Sequence, residues 1–274
     1  MLLFIGLLIG LILGLTGAGG SVFAVPLLLL LGDMSMTDAT GISLGAVAVT
    51  TIYASLRNKF SRSAPSVLWK PGLILAFSGA LTAPVGKWLG MQINELWLIS
   101  SFSVLAAIIA LRMWVSAQKN PAAALVVRAG DFADTPSPDH LCNLNPTGQF
   151  ELRPRCVSGL LIGGLIVGVL SGLFGVGGGF LIVPLLLALS AVTMAQAVST
   201  SLLIIALISS SGFISHLLLS ETQHWQWLML VAAGGVIGMI IGQAVSHKIA
   251  NVLLQKIFAV SLLIVAAITL VRPL

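Results

Sequence analysis

The sequence predicts an all-α polytopic membrane protein of about eight transmembrane helices, built from two four-helix repeats whose first helices are broken by glycine. Of the 274 residues, 58% are hydrophobic and 8% are charged, whereas about 25% of a soluble domain is charged. Residues 156–220 contain no Lys, Arg, Asp or Glu. A β-barrel is excluded, because barrel strands alternate in polarity and do not form continuous apolar runs.

A duplicated motif predicts the repeats. Residues 14–28 read GLTGAGGSVFAVPLL and residues 172–186 read GLFGVGGGFLIVPLL, at an offset of 158 residues. Glycine-interrupted apolar segments at matching positions in two halves are typical of transporter substrate sites. The motif therefore indicates a membrane carrier and places its site near both glycine clusters.

The individual helices follow from apolar runs that are bounded by polar turns. We expect spans near residues 2–31, 38–56, 71–89, 95–115, 157–190, 196–219, 227–246 and 251–271. The first and fifth are too long, since about 30 helical residues extend about 45 Å and the hydrocarbon core is about 30 Å thick. Each is therefore expected to be two half-helices around a non-helical break, although steep tilt or a re-entrant hairpin fits the same length.

The basic residues predict the orientation. With both termini in the cytoplasm, ten Lys and Arg residues lie inside and three, including Lys87, lie outside, as the positive-inside rule requires. Four crossings per repeat then make the repeats parallel. The expected units are residues 1–115, a polar cytoplasmic linker at 116–155, and residues 156–274. Cys142 in that linker and Cys156 at its edge are expected to be reduced, as cytoplasmic thiols are.

The glycine clusters predict an anion site. A break exposes backbone N–H groups at the start of the next half-helix, where they and the helix dipole favour an anion, and glycine permits its close approach. The alternative is close helix packing, which we assign to Gly163, Gly164, Gly168 and Gly172 and to Gly234, Gly235, Gly238 and Gly242. The candidate ligand-lining residues of the breaks are Gly17, Gly19, Gly20, Ser21, Gly175, Gly177, Gly178 and Gly179.

Hydroxyl groups on the second helix of each repeat extend this site. Ser43 aligns with Ser201, and Thr200 precedes Ser201. Hydroxyls donate to an anion without the cost of burying a charge, but they also bond to carbonyls of their own helix. No Asp or Glu lies well inside a span, and no metal site, cofactor, nucleic-acid contact or catalytic constellation is predicted. The expected partners are a small anion and the lipid bilayer.

The motifs GLTGAGGSVFAVP (14–26), GLFGVGGGFLIVP (172–184) and AVSTSL (197–202) resemble those of the TauE/SafE family of sulfite and organosulfonate exporters. The resemblance spans nearly the whole chain. It implies a carrier of small sulfur-containing anions in a bacterial inner membrane. The first copy departs from the pattern, with Ser21 at the place of Gly179 and Ile42 at the place of Thr200, so the halves are expected to bind unequally.

One alternative is a membrane scaffold or sensor that uses residues 116–155 to hold a partner. The direction of the polar residues separates the two hypotheses. A carrier directs both glycine breaks, Ser43 and Ser201 at one shared cavity, whereas a scaffold distributes them among helix contacts.

Overall fold

A computed structural model describes residues 1–17, 19–32, 34–60, 67–119, 154–190, 194–220 and 224–246, with the isolated positions 142, 192, 260, 263, 264 and 268. Its helices are α1 (Leu2–Thr16), the 3-10 helix η1 (Gly19–Phe23), α2 (Ala24–Gly32), α3 (Met36–Phe60), α4 (Trp69–Gln92), α5 (Glu95–Lys119), α6 (Pro154–Phe174), α7 (Gly179–Leu189), α8 (Met194–Leu219) and α9 (Trp225–Ser246). The predicted eighth span and most of the predicted linker fall outside the described residues.

The described chain is helical and has the composition of a membrane protein. Five of its helices, namely α3, α4, α6, α8 and α9, are long and apolar enough to cross a bilayer. Exposed tryptophans lie near helix ends, as at a membrane–water interface; they are Trp69, Trp88, Trp97 and Trp225. The predicted all-α membrane class is therefore confirmed, while the exact eight-helix layout stays a prediction.

Both overlong segments are interrupted at their glycine clusters. α1 ends at Thr16, and Gly17 follows with φ +80°. α6 ends at Phe174, and Gly175, Gly177 and Gly178 then have φ of +69°, +71° and +69°. Glycine adopts this left-handed conformation without the penalty that other residues incur. Residues 175–178 of the second break are non-helical as predicted, but Gly179 begins α7, and Gly19 and Gly20 of the first break begin the 3-10 helix η1.

The fifth segment is a re-entrant hairpin. A Cβ atom on Gly159 would contact Leu189, and one on Gly163 would contact Leu185. The number of the contacted residue in α7 falls as the residue number in α6 rises, so the two helices run in opposite directions. The ends meet as well, because the backbone N–H of Cys142, which is disulfide-bonded to Cys156 of α6, donates to the carbonyl of Leu189 at 2.9 Å.

The disulfide corrects the expectation of reduced thiols. The Cys142 and Cys156 sulfurs are bonded at 1.95 Å, and both residues are fully buried. The hydrogen bond from Cys142 to the end of α7 accounts for the pairing, since it holds Cys142 beside the first turn of α6.

The second helices of the two motif copies are antiparallel. Gly41 and Gly45 of α3 face His216 and Phe213 of α8. Equivalent helices in parallel repeats would run the same way, so the predicted parallel arrangement is wrong and the copies are inverted. The physical reason is the hairpin, which returns the chain to the face it entered and so removes one crossing from the count.

The first broken segment is also a re-entrant hairpin. α1 runs alongside α9, with Gly6 against Val231 and Gly10 against Gly235. α9 in turn runs in the direction of α3, where Thr50 lies against Gly235. α1 and α3 therefore point the same way, and the chain between them must return. Leu2 consequently lies at the end of the bundle where α3 begins, opposite Lys59 and the start of α4.

The predicted packing glycines do pack. Gly168 and Gly172 of α6 lie against the backbone of Gly79 and Ala83 in α4. The same kind of contact joins α9 to α1, through Gly234, Gly238 and Gly242. The first helix of each copy thus contacts the third helix of the other, and this interlocking brings each break to the opposite copy.

Candidate functional site

The second break presents unpaired backbone amides. Gly178 is the N-cap of α7 in a left-handed conformation, and its carbonyl accepts from Leu181 N at 3.0 Å and Ile182 N at 3.2 Å. The backbone N–H groups of Gly179 and Phe180, which lie between Gly178 and Leu181, donate to no carbonyl in the described part of the chain. Such amides and the helix dipole together favour a negatively charged group.

A hydroxyl of the other copy fixes this break. Ser43 Oγ on α3 donates to the carbonyl of Gly175 at 2.6 Å, and Ser43 is fully buried. Thr40, one turn earlier, packs so closely that a Cβ on Gly175 would lie 2.5 Å from its Cα. The predicted residues Ser43 and Gly175 are therefore brought together, although Ser43 bonds to a carbonyl and not to open space.

Two buried hydroxyls at the break have no hydrogen-bond partner among the described residues. Ser209 of α8 is 0% exposed and Ser171 of α6 is 1% exposed. A Cβ on Gly177 would lie 2.7 Å from Ser209 Oγ, and one on Gly178 would lie 3.6 Å from Ser171 Cβ. An unpaired buried hydroxyl costs about 1–3 kcal/mol, so this pair favours a ligand that accepts hydrogen bonds.

The first break has a different surrounding. Gly17 packs on Val198 of α8, and Gly20 packs on the backbone of Leu13, while Ser21 is fully buried within η1. Among the described residues, the atom nearest to a methyl group added at Gly19 is the Cβ of Thr16, at 3.8 Å. η1 contacts α7, so the two breaks approach each other as predicted.

The expected equivalence of Ser43 and Ser201 is absent. Ser201 Oγ donates to Val198 O of its own helix at 2.7 Å. Thr200 Oγ1 accepts from Leu68 N at 3.0 Å and so ties the start of α4 to α8. Both are buried, but neither bonds to a glycine break.

Lys87 is the residue that sequence reasoning missed. The positive-inside count places it on the outer side, near the end of a span, yet it is 2% exposed. Its Nζ donates to Thr40 Oγ1 at 2.6 Å and to Thr37 O at 3.1 Å. Thr40 is the residue that packs on Gly175. The available signal was its position inside the predicted span 71–89, where a lysine is costly and points to a function.

A cavity of about 810 Å³ opens between α4 and α8, and it is lined mainly by apolar side chains such as Val85, Trp88 and Leu218. None of the predicted site residues lines it. Ser43 and Ser201 both bond to carbonyl groups, and neither lines this cavity.

The unequal bonding of the two serines predicts unequal mutants. Ser43→Ala removes the bond to Gly175 O and leaves a buried carbonyl unpaired, so we expect a loss of about 1–3 kcal/mol in unfolding free energy. Ser201→Ala removes only a bond within one helix and should change it by less than about 0.5 kcal/mol. Denaturation of both variants in detergent measures the difference; equal losses would contradict the assigned contacts.

Comparison with known proteins places the chain in a family. The family described as "Sulfite exporter TauE/SafE" matches residues 2–269. A "Probable membrane transporter protein" of Xylella fastidiosa (strain Temecula1) is 31% identical over 95% of this chain and 90% of its own length. "Probable membrane transporter protein YunE" of Bacillus subtilis is 26% identical over 97% and 94%.

A similar "Probable membrane transporter protein" from Methanocaldococcus jannaschii is 25% identical over 95% of this chain and 92% of its own length. No solved structure gave a significant match. The family and these relatives are transporters and not enzymes, which agrees with the glycine breaks and the apolar helices. The chain belongs to the TauE/SafE family of membrane transporters.

Proposed function

We propose that this transporter exports small sulfur-containing anions, such as sulfite or an organosulfonate, and binds them at the second glycine break. The observation that carries the proposal is the coincidence of unpaired amides at the start of α7 with the unpaired hydroxyls of Ser171 and Ser209. Donors of this kind complement the several acceptor oxygens of such an anion.

The left-handed glycines support binding through the backbone. Gly177 and Gly178 hold φ near +70° with no side chain between the backbone and the Ser209 hydroxyl. Gly175, Gly177, Gly178 and Gly179 together with Ser43 therefore form the proposed primary site. Gly17, Gly19, Gly20, Ser21, Thr200 and Ser201 are proposed to form the weaker half, which moves against the primary site when the carrier opens.

Outward transport follows from the membrane potential. A potential negative inside favours the exit of an anion by about 2.3 kcal/mol per charge per 100 mV. An exporter of anions therefore needs no acidic coupling residue within its spans.

We further propose that the end of the bundle carrying Arg57, Lys59, Lys70 and Arg155 faces the cytoplasm, in accord with the positive-inside rule. Because the copies are inverted, Leu2 then lies on the opposite side, contrary to the expected cytoplasmic N-terminus. The disulfide lies at the basic end, because Cys156 follows Arg155, and by itself it favours an oxidising compartment there. The proposed orientation rests on the four basic residues. A reporter fused to the N-terminus should be active outside the cytoplasm; cytoplasmic activity would contradict this orientation.

Flux into liposomes tests the function. Purified protein reconstituted in liposomes should move labelled sulfite down its gradient, and unlabelled sulfite or an organosulfonate should compete. Protein-free liposomes and competition by sulfate supply the controls. A protein that is folded and inserted but carries none of these anions would contradict the proposal.

A further inference from the structure

We propose that Lys87 is a binding residue of this transporter: its buried ammonium group supplies the fixed positive charge that holds the anion beside the second glycine break. This inference rests on the proposed function and names the residue that makes the site selective for charge. The ligand class it implies is a small oxyanion, not a neutral solute.

The hydrogen bonds of Lys87 leave its charge uncompensated. An ammonium group has three donors, and two of them bond to the neutral oxygens of Thr37 O and Thr40 Oγ1. Asp38, in the first turn of α3, is close enough to interact electrostatically with Lys87, but it forms no ion pair with it in the described part of the chain. A buried charge without a paired carboxylate is costly, and an anion that visits the site relieves that cost.

Thr40 connects Lys87 to the break. Thr40 Oγ1 accepts from Lys87 Nζ at 2.6 Å and donates to Thr37 O at 2.9 Å. The same residue packs on Gly175, which is itself held by Ser43. The ammonium group therefore lies one side chain away from the glycines that lead into α7.

A second buried polar group lies at the same place. His216 of α8 is 6% exposed, and its Nδ1 has no hydrogen-bond partner among the described residues. The ring lies against Gly41, the neighbour of Thr40, and interacts electrostatically with Lys87. An unpaired imidazole nitrogen near an ammonium group that bonds only to neutral oxygens is the environment that a small oxyanion would complete.

The corresponding position in the other half carries no charge. A Cβ on Gly172 would meet the backbone nitrogen of Lys87, and a Cβ on Gly14 would meet that of Gln243, so the two residues occupy equivalent places. Gln243 is neutral and accepts a hydrogen bond from the exposed Arg57. The buried positive charge therefore lies beside the break that holds three left-handed glycines and the unpaired hydroxyls, whereas the charge next to Gln243 is that of the exposed Arg57.

Sulfite binding to four proteins tests the role of Lys87. Wild type, Lys87→Gln, Lys87→Arg and Lys70→Gln are titrated with sodium sulfite, against sodium chloride at equal ionic strength, and the thermal midpoint is followed. A neutral sugar detergent keeps lipid phosphate out of the assay. Lys70 is the matched control, because it lies exposed on the same helix and its substitution removes the same charge.

We expect Lys87→Gln to weaken sulfite binding at least tenfold while its midpoint without sulfite equals or exceeds that of wild type, because a buried charge is gone. Lys87→Arg keeps the charge but changes its shape, so it should bind sulfite more tightly than Lys87→Gln does, and Lys70→Gln should be unchanged. A Lys87→Gln protein that is less stable yet keeps the full sulfite-dependent shift would show a purely structural role and overturn the inference. If wild type binds sulfite and Lys87→Gln binds it equally, the inference alone fails; if wild type neither binds nor transports sulfite or an organosulfonate, the proposed function fails with it.

Discussion

Gly177→Ala is expected to abolish anion flux in a protein that remains folded and inserted. The new methyl group would lie 2.7 Å from Ser209 Oγ, 3.1 Å from Val47 Cγ1 and 3.2 Å from Ile205 Cγ2. It therefore fills the space between the backbone and the unpaired hydroxyl. A non-glycine residue at φ +71° adds a backbone cost of about 1–2 kcal/mol, which reduces stability without unfolding the chain.

The inverted copies offer a matched control for this variant. Gly19 is the equivalent of Gly177, and the nearest atom to its added methyl group lies 3.8 Å away. Gly19→Ala meets no close neighbour in the weaker half of the site, so its flux should exceed that of Gly177→Ala. Initial rates of sulfite uptake, normalised to the amount of inserted protein, measure both variants. Parental rates for Gly177→Ala would show that the anion passes elsewhere.

Gly10→Ala and Gly168→Ala are expected to destabilise the fold itself. The methyl groups would overlap the carbonyl oxygens of Gly235 and Gly79, at the contacts of α1 with α9 and of α6 with α4. Overpacking at a close contact costs about 1–3 kcal/mol, and here both neighbours are backbone, which yields little. Each variant should show a lower thermal midpoint in detergent and reduced yield.

Gly19→Ala serves here as well, since it makes the same chemical change without a close contact. Midpoints for Gly10→Ala and Gly168→Ala equal to that of Gly19→Ala would contradict the interlocked packing of the first and third helices. Comparison of these two variants with Gly177→Ala also separates glycines at helix contacts from glycines at the anion site, because Gly177→Ala is expected to affect flux more than stability.

Much of the architecture is readable from the sequence. The duplicated motif and the excess length of the first and fifth spans predict the breaks near Gly17 and Gly175. The direction of the chain after each break is not readable, because an apolar run of 34 residues fits a broken crossing and a hairpin equally well. The parallel arrangement expected from the helix count is therefore wrong, and the contacts of Gly159 with Leu189 and of Gly41 with His216 resolve the ambiguity.

The site was predicted less completely than the fold. Ser43 and Ser201 have similar neighbours in sequence, yet Ser43 reaches Gly175 across the bundle and Ser201 bonds within its own helix. Such a difference depends on tertiary position, which hydroxyl patterns do not encode. The sequence does not reveal Lys87 as a site residue, because the positive-inside rule treats a lysine near the end of a span as a charge outside the bilayer.

Amide hydrogen exchange with and without sulfite tests the proposed binding at the second break most directly. Bound anion should accept from the unpaired amides at the start of α7, so sulfite should slow exchange in residues 177–182 of the detergent-solubilised protein. The equivalent residues 19–24 should change much less, because the η1 turn lacks the unpaired hydroxyls and Lys87. Protection confined to residues 19–24, or no protection at a sulfite concentration that saturates transport, would contradict the placement of the anion at Gly177 and Gly178.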